Sequence, residues 1–209
     1  MAPISACRYA ARNEIDVMEA VQLGLLEPAD ALPQGFVYRP ALISADEEAE
    51  LAARFGELEF RAFEFHGYFG KRRVVSYGLR YDFADSKMHQ AEEIPGFLRP
   101  LRDRAASLAG IAPARFEHAL VTEYTPGAAI GWHKDRPVFG DVVGISLLSS
   151  CRMRFRRALP GRRWERRATT LEPRSAYLFR GPVRSAWEHS IPPAERLRYS
   201  VTFRTVMVR

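Results

Sequence analysis

Arg198-Tyr199-Ser200-Val201-Thr202-Phe203-Arg204 alternates polar and apolar residues over seven consecutive positions. Side chains along a strand point to opposite faces in turn. Arg198, Ser200, Thr202 and Arg204 therefore share one face, and Tyr199, Val201 and Phe203 the other. If the polar face turns into a barrel, its arginines require anionic partners, because a buried unpaired charge is costly. A dicarboxylate meets that requirement, since arginine grips a carboxylate through two parallel hydrogen bonds. The bland alternative is an edge strand whose arginines lie in solvent.

Working outward from this stretch, Phe116–Tyr124 also alternates and closes in the turn signal Tyr124-Thr125-Pro126-Gly127. Residues 142–155 form a long β-branched run, enough for a strand pair or one bent strand, and Thr169–Leu171 and Ala176–Phe179 are shorter strands. Gly161, Pro173, Gly181 and Pro192-Pro193 punctuate them. Upstream, Ser44 followed by Asp46, Glu47 and Glu48 predicts a helix to about Phe55. A second helix is expected from Pro95 to Leu108, ended by Gly110. This order predicts a mainly β fold with flanking helices (α+β), built on a jelly-roll-like double sheet.

The chain has 209 residues, enough for one domain with a substantial core. Residues 1–35 lack periodicity and are expected to be an extension of uncertain order, leaving 36–209 as the single domain. No apolar run reaches the roughly 18–20 residues needed to span a bilayer, and no signal peptide is evident. Two cysteines, Cys7 and Cys151, exclude a disulfide framework and point to a reducing cytoplasm. The net charge of +6 invites an anionic partner. Eight of the arginines, at 152, 154, 156, 157, 162, 163, 166 and 167, fall within sixteen residues opposed only by Glu165. They form either a solvated hairpin or a phosphate-contacting surface.

His133-Lys134-Asp135 follows the turn at Gly127–Gly131, and residues two apart in extended chain point the same way. With His189 farther along, two imidazoles and one carboxylate match the protein half of a non-haem Fe(II) oxygenase site, which leaves positions open on the metal. His66, His89 and His118 are given no role.

Tyr124-Thr125-Pro126-Gly127-Ala128, His133-Lys134-Asp135, His189 and the 198–204 strand, in that order, resemble the AlkB family of Fe(II)- and 2-oxoglutarate-dependent dioxygenases. The likeness covers about residues 36–206. It implies a double-stranded β-helix core over 116–209, preceded over 36–115 by helices and a nucleotide-recognition lid. It also implies that His133, Asp135 and His189 hold iron. Tyr124 and Arg198 would bind the far carboxylate of 2-oxoglutarate, with Arg204 near its other end and the aspartate. Ser200 and Thr122 stand where asparagines are common in the family, and both shorten the side chain facing the co-substrate. The lid falls at 66–83, where Arg72 and Arg73 suit phosphate contacts and Tyr77, Tyr81 and Phe83 offer rings. The resemblance places Phe83 and His133 about a flipped base with Tyr81 at its edge. A core-facing stripe of Tyr77, Tyr81 and Phe83 is the competing reading. Family demethylases often carry an acid soon after the aspartate; here Arg136, Pro137 and Val138 follow, and Asp141 is the next acid.

The implied function is oxidative demethylation of N-alkylated bases in DNA, or RNA, by a monomeric cytoplasmic DNA-repair enzyme. It would consume 2-oxoglutarate and O2 and release formaldehyde, succinate and carbon dioxide. Two alternatives are a 2-oxoglutarate-dependent hydroxylase of protein or modified tRNA, and a catalytically silent nucleic-acid-binding domain.

Overall fold

A computed structural model describes residues 31–65, 68–82 and 87–207, with backbone alone at 64, 65, 68, 69, 80–82, 87 and 88. One compact unit begins at Leu32. Its strands, among the described residues, are β1 (Phe36–Arg39), β2 (Arg61–Phe65), β3 (Tyr68–Asp82), β4 (Lys87–Gln90), β5 (Phe116–Tyr124), β6 (Ile130–His133), β7 (Phe139–Leu147), β8 (Cys151–Leu159), β9 (Arg163–Leu171), β10 (Ala176–Phe179), β11 (Glu188–Ile191) and β12 (Arg198–Val206). The helices are α1 (Ala45–Gly56), α2 (Arg99–Ala109) and the single turn α3 (Pro182–Ser185). No helix among the described residues is long and apolar enough to cross a membrane.

The main sheet runs β1-β10-β7-β12-β5-β3-β2, with β4 paired to β3, and the smaller sheet runs β6-β11-β8-β9. Every pairing is antiparallel. Alternation along the central strands separates two cores. Val143, Ile145 and Leu147 of β7, with Tyr199, Val201 and Phe203 of β12, pack beneath Phe55 of α1 and Leu101, Ala105 and Ala109 of α2. On the other side Tyr124, Val142, Tyr177 and Phe179 meet Met153, Phe155, Leu171 and Ile191 from the smaller sheet. The architecture is the mainly β double sheet with flanking helices that the sequence predicts.

The helices start and stop by local chemistry. Ser44 Oγ accepts from the Glu47 amide at 3.1 Å while the Glu47 carboxylate accepts from the Ser44 amide at 2.8 Å, a reciprocal cap with acids in the first turn. Gly110 ends α2 at φ 64°, a left-handed cap. The described part of the lid region is the fifteen-residue strand β3, paired with β5 from Arg73 to Gly78, so it extends the main sheet. The 142–155 run resolves as the strand pair β7 and β8.

Candidate active site

The polar face of β12 turns inward. Arg198, Ser200, Thr202 and Arg204 line a cleft of about 2300 Å3 between the sheets, together with His118, Leu120, Thr122 and Tyr124 from β5. Register explains the match: Arg198 pairs with Tyr124, Ser200 with Thr122 and Arg204 with His118. Opposed residues on neighbouring strands present their side chains to the same face.

The smaller sheet supplies the other wall. His133 and His189 are register partners on β6 and β11, which sets their ring centroids 4.2 Å apart. Asp135, in the loop after β6, completes a cluster whose candidate ligand atoms all lie within 4.8 Å of one another. His133 Nδ1 lies 2.9 Å from the Gly131 carbonyl and donates to it, which leaves Nε2 as the free lone pair. Burial lowers the pKa of both imidazoles, although Asp135 opposes the shift, and His189 falls to about 3. Burial alone would raise Asp135, but Arg204, His189, His133 and Arg184 outweigh it and bring its pKa to about 2. Two neutral imidazoles and an ionised carboxylate are the protonation states that a divalent cation requires.

The arginines define a second subsite. Arg198 is 1% exposed, donates from Nε to Ser146 Oγ at 3.0 Å and lies 4.8 Å from the Tyr124 ring. Its Nη1 is buried with no hydrogen-bond partner. A buried guanidinium donor left open in this way suits a bound carboxylate. The residues present therefore fit both the metal and a dicarboxylate.

Arg204 lies 3.6 Å from Asp135 Oδ1 through Nη2, and Nη1 donates to His118 Nδ1 at 3.2 Å. Because arginine only donates, Nδ1 must accept, and His118 Nε2–H points to Ser76 Oγ at 3.1 Å. Burial and then Arg204 push the His118 pKa well down, so the ring is neutral. Ser76, His118, Arg204 and Asp135 thus form a chain across β3, β5 and β12. The α3 turn braces the same loop: Arg184 donates to the carbonyls of Phe139, Gly140 and Arg136, and Lys134 Nζ donates to Ser185 O at 2.7 Å.

His118, Ser146, Tyr177 and Arg184 have no place in the sequence reading. Alternation back from Tyr124 through Thr122 and Leu120 would have reached His118. Tyr177 occupies space kept open by Gly144, where an added Cβ would lie 2.3 Å from the Tyr177 ring. Of the expected substrate contacts, Arg72 lines the cleft with its guanidinium 3.6 Å from the Phe63 ring. Arg73 does not line the cleft; it pairs with Glu123 at 2.7 and 3.0 Å. Tyr77 is 6% exposed, packs in the helix-side core and also borders the cleft. Phe83 and the side chain of Tyr81 lie outside the described residues. Asp141 is held by Arg180 through both carboxylate oxygens.

The fold, the His-Asp-His cluster and the open arginine subsite define the class, and residues 44–204 match the sequence profile of the 2OG-Fe(II) oxygenase superfamily. The chain belongs to that superfamily. It is a dioxygenase whose cofactor is Fe(II) and whose co-substrates are 2-oxoglutarate and O2, and its relatives bear out the resemblance to the AlkB family. One is the Arabidopsis thaliana "Alkylated DNA repair protein ALKBH8 homolog", 27% identical over 206 residues, covering 86% of this chain and 57% of the relative. The chain thus spans little more than half of that protein. "Uncharacterized protein L905" of Acanthamoeba polyphaga mimivirus is 27% identical over 188 residues, covering 83% and 85% of the two chains. Among solved structures, OsALKBH1 superposes with a TM-score of 0.65 at 17% identity, over 84% of this chain and 99% of that one. A Pseudomonas putida prolyl-4-hydroxylase gives 0.55 at 17% identity, over 84% and 94%. Both structural likenesses are of fold.

Proposed function

We propose that this oxygenase removes alkyl groups from N-alkylated bases in DNA or RNA, releasing formaldehyde, succinate and carbon dioxide. The observation that carries this reading is the cleft itself. One cavity joins the triad and the β12 arginines to a wall bearing Arg72, Lys134 and Arg136, cations that suit a phosphodiester-linked substrate. Bound Fe(II), with 2-oxoglutarate and dioxygen, supplies oxidation of a substrate C–H bond coupled to decarboxylation. His133, Asp135 and His189 would hold the metal on one side, leaving the cleft side open. Arg198 and Tyr124 would fix the far carboxylate of 2-oxoglutarate, with Ser200 and Thr122 beside it. Arg204 would steady Asp135 and neutralise charge near the other end. Arg72, with Tyr81 and Phe83, would position the base; Tyr77, packed in the helix-side core, and Arg73, tied to Glu123, would brace β3. We infer a monomer in a reducing cytoplasm, in keeping with the free thiol of Cys151.

Hydroxylation of a protein or a modified tRNA nucleoside is the second reading, and Asp141 favours it. Arg180 already engages that acid, and Arg136 follows the triad aspartate, so a cationic alkylated base gains no carboxylate from either position. The deciding experiment supplies a methylated oligonucleotide with Fe(II) and 2-oxoglutarate and measures formaldehyde. Demethylation predicts formaldehyde in step with succinate. Succinate with no formaldehyde on any alkylated DNA or RNA would transfer the assignment to the hydroxylase reading.

A further inference from the structure

The sheet that carries the triad histidines has a second face. Met153 and Phe155 of β8 are buried in the inter-sheet core, so Arg152, Arg154 and Arg156 project from the outside of the smaller sheet. Register sets Arg156 opposite Arg166 of β9, Ala158 opposite Trp164, and Arg156 and Arg154 opposite Glu188 and Ser190 of β11. The Arg156 guanidinium lies 4.6 Å from the Trp132 ring and 4.4 Å from the Trp164 ring, and Arg154 lies 5.2 Å from Trp132. The outer face is therefore a ladder of arginines interleaved with two tryptophans, and Trp132 and Glu188 immediately precede the triad histidines.

Its charge is poorly compensated. Glu188 pairs with Arg156, and Arg154 donates to the neutral Ser190 hydroxyl at 3.1 Å. Among the described residues, no carboxylate forms an ion pair with Arg152, Arg154 or Arg166. Register also sets Arg156 directly opposite Arg166, a juxtaposition of like charges that is destabilising across a ladder. Trp164 is 39% exposed even with the Arg156 guanidinium against its ring, which leaves much of the indole open to solvent. Beside it a cavity of about 330 Å3 is lined by Lys134, Arg156, Arg157, Trp164 and Glu188, and Lys134 also lines the catalytic cleft. The ladder thus continues to the mouth of the cleft through the residue between His133 and Asp135.

We propose that this outer face is a docking track for single-stranded nucleic acid flanking the base that enters the cleft. The inference rests on the nucleic-acid reading above and adds where the strand lies. Guanidiniums spaced along β8 and β9 answer phosphates, and an exposed indole answers an unpaired base, whose ring face a duplex would hide. The Glu188 carboxylate keeps Arg156 fixed between the rings.

The test uses the full chain and an unmethylated oligothymidine, with binding followed by anisotropy across a sodium chloride series. Arg152→Gln/Arg166→Gln removes two exposed cations and is expected to make the logarithmic salt slope shallower by about 1.4, at roughly 0.7 per phosphate contact on a single strand. Trp164→Ala is expected to weaken binding about tenfold, in line with loss of one base stack. Melting midpoints matching the native chain show that the variants fold. A native slope and native affinity in both variants would overturn the track while leaving the demethylation reading standing, since formaldehyde release is measured separately. Equal affinity for polyglutamate, insensitive to Trp164→Ala, would make the face a general anion surface and also overturn the proposal. No oligothymidine binding by the native chain would overturn it as well; joined to absent formaldehyde release, that result would sink the nucleic-acid reading itself.

Discussion

Two sets of arginines in this protein are written in the same alternating pattern and live in opposite environments. Arg198 and Arg204 on β12 point into the cleft, where Arg198 is almost wholly buried and each side chain meets a dedicated partner: Ser146 for Arg198, Asp135 and His118 for Arg204. Arg152, Arg154, Arg156 and Arg166 on β8 and β9 point away from it, and tryptophan rings lie against Arg154 and Arg156. Residue type and period do not separate the two sets. What separates them is whether a second sheet closes over the face. Enclosure makes an open donor costly and therefore specific, whereas solvent leaves it cheap and adaptable.

That contrast can be broken at several depths. Asp135→Ala removes the enclosed carboxylate of the His-Asp-His cluster and is expected to abolish 2-oxoglutarate turnover. Iron affinity should fall by more than the roughly 10–100-fold that loss of an outer-sphere partner costs, as measured by metal titration. His118→Leu removes the acceptor behind Arg204, together with the bond to Ser76, and is expected to weaken iron binding by about 10–100-fold. His118→Asn, which keeps an acceptor near the Nδ1 position, should recover most of that loss. Equal effects from the two variants would show that His118 only fills space.

His118 also predicts a pH dependence for the metal-free protein. Its folded pKa lies well below the unfolded value near 6.5, so below that value the unfolded chain binds the extra proton. Stability from this residue is complete above about pH 6.5 and is lost as pH falls, at up to about 1.4 kcal/mol per pH unit. Denaturant titrations of the native chain and His118→Asn should show the slope shrinking in the variant. The smallest expected change belongs to the open face: Arg152→Gln/Arg166→Gln should alter stability by no more than about 0.5 kcal/mol.

The sequence made some of this legible and hid the rest for physical reasons. The α1 cap, the Gly110 stop, the register-ready stretch of β5 and the two faces of β12 are local or period-two features, and the structure has them where the pattern puts them. The His-Asp-His set could be read from order along the chain, and the structure brings it together through the β6–β11 pairing. Strands of four residues such as β1, β6 and β11 are too short to show a period. Arg184 acts from a single helical turn through backbone carbonyls, and the space for Tyr177 depends on Gly144 of another strand; neither leaves a mark in local sequence. Arg72 and Arg73 looked equivalent as neighbours, but alternation sends one to the cleft and the other to Glu123.

The central claim is that enclosure makes the β12 face the co-substrate site, and 2-oxoglutarate binding to the iron-loaded protein without oxygen tests it most directly. Calorimetric titration of the native chain and Arg198→Met, each at low and high salt, is the measurement. The account predicts about a 100-fold weakening in the variant, the order expected when charged hydrogen bonds are lost. It also predicts little salt dependence in the native chain, because a buried pair is poorly screened. Native-like binding by Arg198→Met, or affinity that falls steeply with salt, would contradict it.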